Sequence, residues 1–442
     1  MAVSAQGSGM LRGVRVLDLT RILAGPFATM QLADMGADVL KVEMPGRGDD
    51  TRSWGPPFLG GDSGGMATYF ASVNRSKRSV AVDLKHPRGA QAVRSLASKA
   101  DVVIENFRPG TLDRMGLGYE SLSAANKRVV LCSLTGYGQW GPASEAAGYD
   151  VSVAAEGGLL SITGEPDGPP VKPGVAVTDM MTGMHAAAAV LAALLEVRSG
   201  GEQAVGRHLD VSLMDCQLGS LANIAAAALN PPAGSGQTSQ SRWGSAHPSI
   251  VPYQAFEAAD GRPLIVSAMN DAQFAALCSA LGGSLAGMSD DPRFATNAAR
   301  VKHREQVVAA VRCELKSGAG GAAVTREELV RLLRRNGLAA SPINSVEEAF
   351  ETDHARGRRA VVELHHPVAG SVRLPAPAIR AGKRGVDASK GTDGEAVAAR
   401  WAPPLLGEHT REALADWGAC TEDELEAGIS EGWLQQAGAD RR

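Results

Sequence analysis

The sequence predicts an α/β protein: a parallel sheet covered by helices, joined to a smaller α+β domain. Three observations predict it. Short apolar runs alternate with helical stretches from residue 11 to about 200, the pattern of strands joined by crossover helices. A breaker-rich stretch at 230–240 follows, and hairpin signals appear after it. The chain has 442 residues, too many for one ordinary domain of about 150. In order, residues 14–19 read as a buried strand ending in a loop, and 26–35 as a helix with Pro26 in its first turn. Residues 38–42 read as a second strand, 80–84 as a short extended run, 87–99 as a helix, and 101–105 and 128–134 as further strands. Residues 175–177 read as a short strand leading to Asp179, with a helix over 180–198. The apolar run 186–195 in that helix is too short to span a bilayer and is expected in a core. Residues 250–256 and 264–267 flank an Asp260-Gly261 turn as a hairpin. Residues 361–364 and 372–374 form another around Ala369-Gly370, and 382–394 is expected to be mobile. The expected division is 1–205 for the first part of the large domain and 206–245 for a linker helix and loop. The small domain is expected at 246–345, and 346–442 returns to the large domain.

Composition excludes several classes. The net charge of −4 argues against a dedicated nucleic-acid binder. Residues 1–10 hold no apolar core of a secretory signal, and no run is long enough for a membrane span. The five cysteines are scattered, odd in number and without a C-x-x-C pair. A reducing cytoplasm is therefore the expected location, with no disulfide framework and no zinc ribbon. His365-His366 has no acid or thiol at ligand spacing, so a structural or surface role is expected and no metal.

Two motifs point the wrong way. Gly61-Asp62-Ser63-Gly64-Gly65 matches a serine-nucleophile pattern, but Ser53 to Pro57 makes a poor strand before it. Gly136-Tyr137-Gly138-Gln139-Trp140-Gly141 matches G-x-G-x-x-G after a strand, yet Pro142 and Ser144 continue a loop. A dinucleotide fingerprint must open a helix at that point to aim its N-terminus at the pyrophosphate. No nicotinamide or flavin site is expected.

Asp179 is the candidate nucleophile. At a helix start, backbone N–H groups and the helix dipole favour the ionised carboxylate. A plain capping aspartate is the competing reading. Small residues at Thr182 and Gly183 would let a bulky substrate approach.

At this point the chain resembles a family. The stretches 11–20, Ala24-Gly25-Pro26, 36–43, 74–79, 105–110, 133–138 and 405–410 look like class III coenzyme A transferases. This is the formyl-CoA and carnitine-CoA transferase group, which also contains the α-methylacyl-CoA racemases. The resemblance runs from residue 11 to about 432. It implies a Rossmann-like large domain, an interlocked homodimer and a CoA thioester as substrate, with no bound cofactor. It also implies that Asp179 attacks the acyl-CoA to give a mixed anhydride, a step that needs positioning and oxyanion stabilisation. Gly244-Ser245-Ala246-His247 occupies the place of the family's glycine-rich loop but is poorer in glycine.

The same resemblance implies CoA contacts at Ala24, at Val82, Asp83, Leu84 and Lys85, and at Asn106, Phe107, Arg114 and Tyr149. A solvated surface charge is the plain alternative for Lys85 and Arg114. Leu23 stands where formyl-CoA transferase has Gln, which argues against formate and oxalate. Tyr149 stands where the racemases have their histidine, and a phenol is a poor base at neutral pH. Transfer is therefore preferred to racemisation, and a catalytically inactive CoA-binding protein is a third reading, disfavoured by the retained Asp179. Asp150 either orients a group in the site or starts a helix. The segments 174–179 and 242–256 resemble the succinyl-CoA–glutarate CoA-transferase branch. A dicarboxylate acceptor keeps a free carboxylate that needs a cation, and Arg242 and His247 are the candidates, with Arg75 or Arg78 as substitutes.

Overall fold

The computed structural model describes residues 9–61, 65–231, 241–318, 324–381 and 397–438. The chain forms two compact units. The first comprises Met1–Leu159, Pro173–Pro231 and Asp353–Arg442, the second Leu160–Lys172 and Pro232–Thr352. The expected 382–394 segment, Ser63 and most of the 230–240 stretch lie outside the described residues.

The first unit is built on a seven-stranded sheet. Its spatial order is Leu434–Gln435, Arg78–Val82, Asp38–Glu43, Arg15–Asp18, Val102–Glu105, Val130–Thr135 and His208–Ser212. All neighbours run parallel except the short Leu434–Gln435 strand, which pairs antiparallel with Arg78–Val82. Both faces are covered, so the central strands are continuous apolar runs rather than alternating ones. Val14, Val16, Val39, Val102 and Ile104 pack with the first helix, Ala24–Asp34, and with the long helix Val177–Ser199. Leu17, Leu40, Val80, Val103 and Leu131 pack on the opposite face with the helices Pro87–Ser98, Thr410–Asp416 and Glu422–Ser430. The long helix is apolar enough to cross a membrane by length and composition, but Ala186, Val190, Ala193 and Leu194 are buried in this core.

Two expectations differ from the structure. Residues 208–212, expected in a linker, form the edge strand of the sheet, in register with Val130–Thr135. His208 and Asp210 are polar because an edge strand faces solvent. Residues 175–177 form no strand. Ala176 is the N-cap position and the helix begins at Val177, because His208–Ser212 already occupies the sheet edge beside Val130–Thr135.

The second unit has a three-stranded antiparallel sheet of Ala339–Pro342, Pro263–Ser267 and Tyr253–Glu257. Its hairpin turns at Asp260-Gly261, with Gly261 at φ 77°. Phe256, Leu264, Phe274, Val307, Val311 and Leu329 form its core. It comprises two stretches, Leu160–Lys172 and Pro232–Thr352, wider than the expected 246–345. In the first unit, Val361–His366 and Gly370–Pro375 pair as the second expected hairpin.

Candidate active site

The order in which the chain adds strands to the sheet reverses between Arg15–Asp18 and Val102–Glu105, because Asp38–Glu43 lies on one side of the first strand and Val102–Glu105 on the other. Ligands of open α/β sheets bind in the crevice beyond the strand ends at such a point. A cavity of about 420 Å³ lies there. Its walls are the turn Arg21 to Ala24, the segment Asn106 to Pro109, the strand end Leu134 to Gly136, and the loop residues Ala146 to Tyr149. Leu213 and Asp179 complete it, and Asp179 is the only carboxyl group lining it among the described residues.

Asp179 is the third residue of the long helix, not the end of a strand. The helix start is fixed by Thr178, whose hydroxyl donates to Gln217 Oε1 at 2.8 Å with both side chains buried. The backbone N–H of Asp179 donates to Asp150 Oδ1 at 3.2 Å. Asp150 therefore does more than start its own helix, Asp150–Glu156: it holds the backbone of Asp179. The small, apolar flanks of Asp179 predict partial desolvation of its carboxylate, which acts against the ionised form that the helix start favours. Burial, and secondly the neighbouring charge of Asp150, push the Asp179 carboxyl up to about 7. Desolvation outweighs the helix N-terminus here.

Tyr69 feels the charge of Asp179 from outside the cavity lining. Tyr69 and Trp54 meet edge to face at 5.1 Å between ring centroids. Burial raises the Tyr69 phenol, as do the charges of Asp179, Asp150 and Asp49. Nothing in the sequence marks Tyr69, because it lies 110 residues before Asp179 in no motif of its own. Arg21 and Arg108 also line the cavity. Their signal was adjacency: each sits beside a segment already singled out.

The predicted CoA residues divide. Ala24, Asn106, Phe107 and Tyr149 line the cavity. Asn106 accepts from Arg21 N at 2.9 Å and donates to Arg21 O at 2.8 Å, so its amide fixes the first turn. Tyr149 is 65% exposed at the cavity rim. Val82 is buried in the core, Leu84 packs against the same core, Asp83 accepts from Lys85 N at 2.9 Å, and none of these four lines the cavity. Arg114 donates to Thr111 Oγ1 at 3.0 Å and lies outside it too.

The glycines also serve differently from expectation. A Cβ on Gly183 would lie 2.6 Å from Ala24 O, so this glycine lets the long helix approach the first helix, not the substrate. Thr182 is buried and donates to Thr178 O. Gly136 and Gly148 pass each other so closely that a Cβ on either would reach 2.5–2.7 Å of the other's Cα.

In the second unit, Arg242 donates to Glu165 O at 3.2 Å and Gly168 O at 2.7 Å, tying the segment 160–172 to this loop. Gly244 has φ 57° and donates to Gly164 O at 2.9 Å. The amides of Ala246 and His247 donate to Trp243 O and Tyr253 O, and His247 stacks on Tyr253. These three loop amides are thus already committed. By contrast no side chain caps the first helix at Leu23, so among the described residues the N–H groups of Ala24 and Gly25 stay open where the cavity meets Leu23 and Ala24. Outside the cavity, His366 Nδ1 accepts from the N–H groups of Val368 and Ala369 and shapes the hairpin turn.

A switch-point cavity lined by one part-buried aspartate and two arginines suits a phosphate-bearing acyl substrate. The chain belongs to CoA-transferase family III, whose sequence pattern matches residues 11–410. It is 43% identical over 426 residues to the succinyl-CoA:glutarate CoA-transferase of Mus musculus, covering 96% of this chain and 90% of that protein. It is 45% identical over 359 residues to the succinate–glutarate CoA-transferase of Agrobacterium fabrum, covering 80% of this chain and 85% of that one. Among solved structures, a CAIB/BAIF family protein from Brucella suis superposes with a TM-score of 0.78 at 39% identity, covering 93% of this chain and all of that one. The expected class of enzyme, a class III CoA-transferase, stands.

Proposed function

We propose that this enzyme moves CoA from succinyl-CoA to a dicarboxylate, glutarate first among them, through an anhydride on Asp179. The observation that carries the reading is Asp179 itself, the only acid among the described cavity-lining residues, in a chain more than 40% identical to succinyl-CoA–glutarate enzymes. The ionised carboxylate attacks the thioester carbonyl, the C–S bond breaks, and CoA leaves as thiolate. The thiolate attacks the Asp179 carbonyl of the anhydride and succinate leaves, giving an enzyme–CoA thioester. The acceptor carboxylate attacks that thioester, which frees the thiolate and forms a second anhydride. Attack of the thiolate on its acceptor carbonyl releases the new acyl-CoA and restores Asp179. No proton is gained or lost, so the sequence needs no acid–base pair across a Cα, which is why Tyr149 suits transfer better than racemisation.

Arg242 or His247 as the partner of the distal carboxylate belongs to this proposal. So do a homodimer, supported by exposed apolar side chains on the long helix, and a cytoplasmic location, supported by five free cysteines. No metal or redox cofactor enters the proposed chemistry.

The test is direct. The chain is incubated with succinyl-CoA, digested and examined by mass spectrometry. An acyl or CoA adduct is expected on the Asp179 peptide, with glutarate the best acceptor in a panel of acids. Proton exchange at Cα without CoA transfer would instead establish the racemase, and full transfer by Asp179→Ala would remove the nucleophile from the mechanism.

A further inference from the structure

The turn Thr20 to Ala24, which lines the cavity from Arg21 on, is held from beneath by charges with no access to solvent. Lys41 Nζ lies 2.9 Å from Asp49 Oδ2 and Lys77 Nζ 3.1 Å from Asp18 Oδ2, and all four side chains are 0% exposed. Each makes a directed bond to the turn or its shoulders. Lys41 donates to Thr20 O at 2.8 Å and Lys77 to Pro26 O at 2.9 Å. Asp18 accepts from Thr20 N at 2.9 Å and Asp49 from Ile22 N at 3.3 Å. At the centre, Ile22 has φ 73°. That conformation is a genuine outlier for a β-branched residue and costs on the order of 1–3 kcal/mol. It persists only where its surroundings enforce it.

Buried ion pairs are a weak source of stability, because apolar groups of equal volume often serve as well or better. What they supply here, and apolar groups cannot, is direction: two donors aimed at carbonyls and two acceptors aimed at amides of one short turn.

Resting on the reading of the cavity as the acyl-CoA site, we infer that the Lys41–Asp49 and Asp18–Lys77 pairs are positioning residues. They enforce the left-handed conformation at Ile22, and through it set the Leu23–Ala24 backbone against the acyl-CoA. The pairs touch no substrate; they act through the turn.

The test uses the charge-neutral double variant Lys41→Met/Asp49→Asn, which leaves no buried charge unpaired, with and without Ile22→Gly. CoA binding by the unaltered chain is measured first. Its absence would overturn the reading of the cavity and this inference with it. Given binding, the neutral pair is expected to raise the Kd for CoA and the KM for succinyl-CoA on the order of 10- to 100-fold, as a misplacement of about 1 Å does. Adding Ile22→Gly is expected to recover most of that loss, since glycine takes φ near +70° without enforcement. Glycine at this position also relieves the strain of the turn and so restores stability; denaturant midpoints are therefore measured beside affinity, and a loss of CoA affinity that merely follows the midpoints overturns the inference. Unchanged CoA affinity in the neutral pair, or a loss that Ile22→Gly leaves in place, overturns the inference alone. If the first pair does not fold, Asp18→Asn/Lys77→Met replaces it with the same expectations. Should neither fold, the network is a folding determinant and the inference fails.

Discussion

Asp179 holds its proton to about pH 7 in the folded chain, against an ordinary 3.8. Between those values the folded state binds more protons than the unfolded one, so this residue's contribution to stability falls as pH rises from about 4 to about 7. Above pH 7 the folded chain carries a buried charge held near Asp150. Replacement by a neutral isostere removes that penalty, and Asp179→Asn is expected to be more stable than the natural chain by about 2–4 kcal/mol at pH 8. Denaturant midpoints of the two proteins at pH 4 and pH 8 check this; a gap that does not widen with pH would contradict it. On the proposed mechanism the catalytic counterpart has the same sign: kcat/KM for succinyl-CoA should rise through pH 7 to a plateau, since attack on the thioester requires the ionised Asp179. Asp179 was legible as the candidate because it sits between two recognisable segments. Its small apolar flanks predict partial desolvation, the larger cause of its elevated pKa, but the second cause, Asp150, lies 29 residues away and leaves no signature in a local window.

Gly183 and Gly219 make a contrast on two helices. A Cβ on Gly183 would lie 2.6 Å from Ala24 O, a backbone atom that cannot move without the first helix. Gly183→Ala is therefore expected to destabilise by about 1–3 kcal/mol, the usual range for overpacking, and to raise the KM for acyl-CoA by displacing the cavity wall at Ala24. Gly219, in the helix Leu213–Ser220, would meet nothing within 4 Å, and Gly219→Ala should stabilise by about 0.5–1 kcal/mol without moving KM. Thermal melts and initial rates on both variants separate the two effects. The elements themselves were largely readable, since buried parallel strands leave unmistakable apolar runs. Residues 175–177 misled because three small apolar residues satisfy a strand pattern locally, while a strand also needs a free neighbour. Residues 208–212 misled in the opposite way, their polar character being that of an edge rather than a linker.

At the scale of the molecule, the C-terminal stretch returns to the first unit, and Leu434–Gln435 pairs with Arg78–Val82 some 350 positions earlier. The sequence shows that a return occurs through its matching motifs, but not which edge it completes, since a two-residue strand carries almost no pattern. What the first unit leaves uncovered is informative. Leu195 is 70% exposed and Leu229 80%, and the helix Ala222–Leu229, whose sequence is almost entirely apolar, buries no residue within the chain. Apolar helix faces of this kind mark interaction surfaces. A second copy of the chain is the proposed occupant, so the protein should run at twice the chain mass. Leu195→Asp/Leu229→Asp should lower that mass or the yield of folded protein. If the two chains are threaded through each other, separation requires unfolding, and tagged and untagged dimers mixed at micromolar concentration should form no hybrid over days. Hybrids that appear within minutes would leave a dimer but rule out threading, and a chain-mass particle at micromolar concentration would rule out the dimer itself.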